Sequence, residues 1–129
     1  MAPQSSLSRD KGITMAQQTA ELMGGKVFTI APTGSMKPTL DENSIVAVEV
    51  VDFAALREGD IIIYRDKNNL PIVHRLRQHA GGRWIVLGDN NSSVDNEFVT
   101  PANFMGRVCA IFYTTPGPRG FEQTALAHR

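Results

Sequence analysis

A hydroxyl, an imidazole and a group of carboxylates, held in three separate segments, have between them the side chains needed to cleave an acyl bond. The hydroxyl is Ser35, in APTGSMKPTL (residues 31–40), set between Gly34 and the apolar Met36 and followed by a Pro-Thr pair. A solvated turn needs only glycine, proline and a polar residue or two. An apolar residue beside the serine suits a frame that holds one hydroxyl in place. A serine hydroxyl is a weak nucleophile at neutral pH; it needs an adjacent base, itself oriented by a third group. The candidate base is His74, in PIVHRLRQ (residues 71–78). Strand alternation there puts Ile72, His74 and Leu76 on one face and Val73, Arg75 and Arg77 on the other. An imidazole on an apolar face tends to stay a neutral proton acceptor. His79 falls in a turn and His128 in the tail, without comparable support. The third group is sought in LGDNNSSVDNEF (residues 87–98), where either Asp95 or Asp89 is placed to reach His74 and Ser93 with the Asn side chains steadies the loop. Such residues also cap turns on their own account.

No cofactor is expected. The three histidines lack ligand spacing, the lone Cys109 cannot form a thiolate cluster, and GDNN has no glutamate at the distance a calcium loop requires. No glycine-rich phosphate loop precedes a helix.

The elements that must position these side chains are mostly strands. KVFTIA, SIVAVEVV, DIIIYR, PIVHRLRQ, RWIVLG and GRVCAIFY are short and rich in Val, Ile and aromatics, and turn-forming stretches separate them. Ahead of them, TMAQQTAELMGG reads as a short helix capped by Thr14 with Gln17 in the capping-box position. Met15, Thr19, Leu22 and Met23 would share its docking side. The fold class expected is mainly β, an antiparallel or mixed β-barrel with one short N-terminal helix. Residues 1–13 are expected to be a flexible lead, residues 14–115 one β domain, and residues 116–129 a flexible tail.

With 129 residues the chain suits one domain, and 13 basic against 13 acidic residues argue against a dedicated nucleic-acid binder. Cys109 lies in the apolar run VCAIFY, as a buried inert thiol would. No apolar run approaches the roughly 18 residues of a membrane span, and no secretory leader is visible, so a soluble, cytoplasmic chain is expected.

In order, GSMKPTL, REGDIIIYR, IVHRLR and GDNNSSVDN resemble the serine box, the Gly-Asp strand, the general-base strand and the Gly-Asp-Asn loop of the type I signal peptidase family. The fold would then be of the signal-peptidase/LexA-like type. Where most bacterial members carry a lysine before the arginine of the base strand, this chain has His74 before Arg75, like the archaeal and endoplasmic-reticulum branch. The resemblance implies a serine endopeptidase in which Ser35 attacks, His74 is the base and Asp95 orients it, with Asp89 the second choice of acid. It implies an oxyanion site from the Ser35 N–H and the Thr33 hydroxyl, and a substrate pocket lined by Met36. Substrates would be proteins bound as extended strands, with small residues at the first and third positions before the cut. The ending TALAHR offers Ala125 and Ala127 in that pattern, and alanine is common enough for chance to supply it. With no anchor or room for a second domain, the expectation is a minimal core, such as a phage maturation protease with a membrane-anchored or phage-structural partner. The alternative is a barrel of the same type that has lost catalysis and serves as a binding module. The self-cleaving repressors of this fold use lysine and an N-terminal DNA-binding domain, for which 25 residues are too few.

Overall fold

The computed structural model describes residues 7–116 and the backbone of residues 124–125. Helix α1 (Arg9–Leu22) precedes β1 (Lys26–Ile30) and β2 (Ser44–Glu49), and a short 3-10 turn (Phe53–Ala55) leads to β3 (Ile61–Arg65). Strands β4 (Pro71–Ala80), β5 (Arg83–Leu87), β6 (Phe104–Tyr113) and β7 (Thr124–Ala125) follow. They form one sheet in the order β5-β4-β3-β6-β2-β1-β7. Every pairing is antiparallel except that of β7 with β1.

The six expected strands are all present, and the fold is mainly β. A barrel describes the sheet only loosely: β5 and β7 lie at opposite ends of the order, with no ladder joining them among the described residues. Apolar residues fill both faces of β3 and β4. Ile63 and Val73 join Ile30, Met36, Leu40, Val46 and Val48 in one cluster. Ile62, Tyr64, Ile72 and Leu76 join Leu56, Trp84, Val86 and Val99 in the other. Burial on both faces explains why DIIIYR reads as a continuous apolar run rather than an alternating one.

The helix differs from its sequence-based outline. It starts at Arg9, where Ser8 is the N-cap and accepts from the Lys11 N–H at 3.3 Å. Thr14 lies inside it, its hydroxyl donating to the Asp10 carbonyl. The residues it buries are Gly12, Ala16 and Ala20, a stripe at four-residue spacing that faces β1, β2 and β6. Met15 and Met23 are 44% exposed and Leu22 86%. Close packing favours small residues on this face: a Cβ at position 12 would lie 2.4 Å from the Thr114 Cγ2 methyl, just past the end of β6. Of the tail expected from residue 116, only residue 116 and β7 are described; Ala127 and His128 lie outside the described residues.

Candidate active site

Three segments converge at the end of β1. The chain leaves β1 at Ile30, turns through a Thr33 N–H to Ala31 carbonyl bond of 2.8 Å, and passes Gly34 at φ +80° before reaching Ser35. That left-handed backbone is where glycine is favoured. Ser35 and the following Met36 are both buried. Met36 turns into the core between Ile30 and Leu40, and its sulfur accepts from the Asp89 N–H at 3.4 Å. It therefore anchors the loop from below. Thr33 is exposed in the same turn.

The loop after β5 clamps this turn from the other side. The Asn90 N–H donates to the Ser35 carbonyl at 2.8 Å, and the Asn90 side-chain amide donates to the Gly34 carbonyl at 3.1 Å. Gly88 sits where any side chain would collide: its Cβ would fall 2.7 Å from the Ser35 carbonyl oxygen and 2.9 Å from His74 Nε2.

His74 comes from the middle of β4 and is fully buried between Ile72 and Leu76, the face the alternation assigns to it. Its Nε2 lies 3.2 Å from Ser35 Oγ and its Nδ1 2.6 Å from Asp95 Oδ2. An ionised carboxylate only accepts, so Nδ1 carries the proton and Nε2 is left to accept from the serine hydroxyl. Asp95 is held by its own backbone, whose N–H donates to the Val86 carbonyl at 2.9 Å. The side chains of His74 and Asp95 are 0% and 6% exposed, so little water competes for the contact between them.

Of the two candidate acids, Asp95 meets His74 and Asp89 does not. Asp89 accepts two parallel bonds of 2.8 Å from Arg75 Nε and Nη2, and a third of 2.6 Å from the Thr39 hydroxyl. Burial works to raise its pKa, but the bonds from Arg75 and Thr39 and the Arg75 charge outweigh it and hold the carboxyl below its ordinary range. Arg75 also donates to the Gly59 carbonyl at 2.7 Å. Asp89, with Arg75, thus ties the Ser35 loop, strand β4 and the turn before β3 together around the site.

Ser93 is exposed. His79 stacks on Trp84, ring centroids 4.7 Å apart, at the far end of β4 rather than in a turn. Cys109 is half-buried, its thiol donating to the Ala47 carbonyl at 3.4 Å. Among the described residues no group of three or more His, Cys, Asp or Glu side chains converges as metal ligands.

Sequence reasoning missed Tyr64. Its hydroxyl donates to Asp95 Oδ2 at 2.5 Å, sharing that oxygen with His74. The available signal was its alternation with Ile62 on β3. The deciding fact was the register, which sets Ile62 opposite His74 and brings Tyr64 onto the same face.

The family model for Peptidase S24-like proteins matches residues 4–109. The chain belongs to the Peptidase S24-like family. Signal peptidase I W of Bacillus subtilis (strain 168) is 30% identical over 76 residues, which cover 55% of this chain and 40% of that protein. The S24-like chain thus spans well under two thirds of this relative. It also retains the four signal-peptidase-like segments in order. Among its described residues no helix is long and apolar enough to cross a membrane.

Proposed function

We propose that this S24-like protein is a serine endopeptidase with Ser35 as nucleophile, His74 as general base and Asp95 as the group that orients His74. The observation that carries the proposal is the continuous contact Ser35 Oγ–His74–Asp95, at 3.2 and 2.6 Å, inside a buried site. In this mechanism Ser35 Oγ attacks the scissile carbonyl as its proton passes to His74 Nε2. His74 then returns the proton to the leaving amine, and water hydrolyses the acyl-serine by the same route. The Ser35 N–H and the Thr33 hydroxyl are the donors assigned to the oxyanion, each worth about 10²- to 10³-fold in rate. The substrate is a protein held as an extended strand and cut after small residues. The catalytic domain takes in α1 and β1–β6, and so begins at Arg9 rather than at residue 14.

The test is cleavage of a peptide library rich in alanine at the first and third positions before the cut, read by mass spectrometry. Ser35→Ala should lose at least about 10³-fold in turnover while melting like the parent protein; His74→Ala should lose as much turnover and melt lower, because it empties a fully buried position and takes a partner from Asp95. An active His74→Ala protein would sink this mechanism.

A further inference from the structure

β1 has β2 on one side and would otherwise present the other edge to solvent. An unpaired edge strand displays a row of N–H and C=O groups, which is the template for adding an extended peptide. The strand found there is β7, from the chain's own C-terminal segment, with Thr124 opposite Thr29 and Ala125 opposite Ile30. Two features make this more than edge protection. The pairing is parallel, so β7 runs in the same direction as β1, toward the turn that carries Ser35. It also packs against β4, the strand of His74, and so occupies the space between the nucleophile's strand and the base's strand.

We propose that the C-terminal segment is an internal ligand of the peptide groove formed by β1 and β4, held there by strand addition through residues 124 and 125. Its consequence, competition with substrate, rests on the peptidase reading above; its binding rests on the strand pairing alone. The segment is tethered through residues 117–123, and a short tether gives an effective concentration on the order of millimolar. A segment with an intrinsic dissociation constant of roughly 0.1 mM would then raise the apparent KM of a peptide about tenfold without changing kcat.

The experiment keeps the full chain and replaces the two pairing residues, Thr124→Pro and Ala125→Pro together, which removes both backbone donors. For an alanine-containing peptide, the double variant should show a KM about tenfold lower at unchanged kcat. An unchanged KM in a chain whose activity depends on Ser35 overturns the inference and leaves the peptidase reading standing. A second readout needs no activity. In the Ser35→Ala background, the amide NMR signals of Thr29 and Ile30 should move when the prolines are introduced. They should return when synthetic Thr-Ala-Leu-Ala-His-Arg is added. Superimposable signals overturn the inference. Signals that move and return in a chain that cleaves no peptide support the docking and sink the peptidase reading instead.

Discussion

Replacing Gly88 by alanine adds one methyl group at the point where the three site segments come closest. The new Cβ would lie 2.7 Å from the Ser35 carbonyl oxygen, 2.7 Å from Asn91 Nδ2 and 2.9 Å from His74 Nε2. Comfortable separation for such atoms begins near 3.5 Å, so the neighbours must retreat by roughly 0.6 to 0.8 Å. The Asn91 amide can rotate away. The Ser35 carbonyl cannot move alone, because it is backbone and accepts from Asn90. His74 Nε2 is the atom that faces Ser35 Oγ at 3.2 Å; retreating by half an ångström or so takes it out of hydrogen-bond range. Misplacement by about 1 Å costs on the order of 10²-fold. The expected result is a 30- to 100-fold fall in kcat, roughly scaled from that figure, together with about 1 to 3 kcal/mol of destabilisation from overpacking. The assay is steady-state cleavage of an alanine-containing peptide, paired with a thermal melt. Gly81→Ala is the control: Gly81 sits at φ +62° with open space around its Cβ position, so the substitution strains the β4–β5 turn and leaves kcat alone. A folded Gly88→Ala protein with parental kcat would refute the assignment of the Gly88 surroundings to the reaction centre.

Other outcomes follow from single contacts. The Asp89 carboxyl is held below its ordinary value of 3.8, so its contribution to stability is complete above that value and is lost as pH falls through the lowered one. Melting curves of the parent and Asp89→Asn should therefore differ near neutrality and converge on acidification below 3.8; a constant gap would count against the Arg75 pairing. Tyr64→Phe removes a donor to the Asp95 carboxylate and should cost about 1.5 to 3 kcal/mol in chemical denaturation. A neutral result would mean that the carboxylate needs only His74. Burial, followed by the charge of Glu49, pushes the Cys109 thiol up, so iodoacetamide should label it more slowly in the folded than in the unfolded chain. Ala16→Leu, on the helix stripe that meets the sheet, should destabilise by about 1 to 3 kcal/mol, whereas Leu22→Ala, at 86% exposure, should stay within about 0.5 kcal/mol of the parent protein.

Much of this molecule is local, and what is local was legible in the sequence. Turn chemistry and β-branched runs mark out the six strands between residues 26 and 113, and alternation along PIVHRLRQ assigns His74 to the apolar face on which it lies. Four short motifs in one order indicate a signal-peptidase-like family, which the Peptidase S24-like match over residues 4–109 and the similarity to signal peptidase I W support. The sheet's end-to-end order, and hence its failure to close among the described residues, depends on which strands meet at long range. No single segment encodes that. The helix misled for a related reason: Met15, Leu22 and Met23 look like a docking face, but Gly12, Ala16 and Ala20 are the residues buried, and at Gly12 the Thr114 side chain leaves no room for a Cβ.

Asp95 and Asp89 stand six residues apart in one Asx-rich loop and are equivalent acids on paper. Only the tertiary structure separates them. Arg75 points away from the His74 face, as its neighbour on a strand must, and takes up Asp89, while the bond from the Asp95 N–H to Val86 brings the other carboxylate under the imidazole. Residue types and order along the chain determined which groups have the means to react. Which carboxylate reaches His74, and which tyrosine shares it, was decided by strand register and loop closure, because those contacts join residues tens of positions apart.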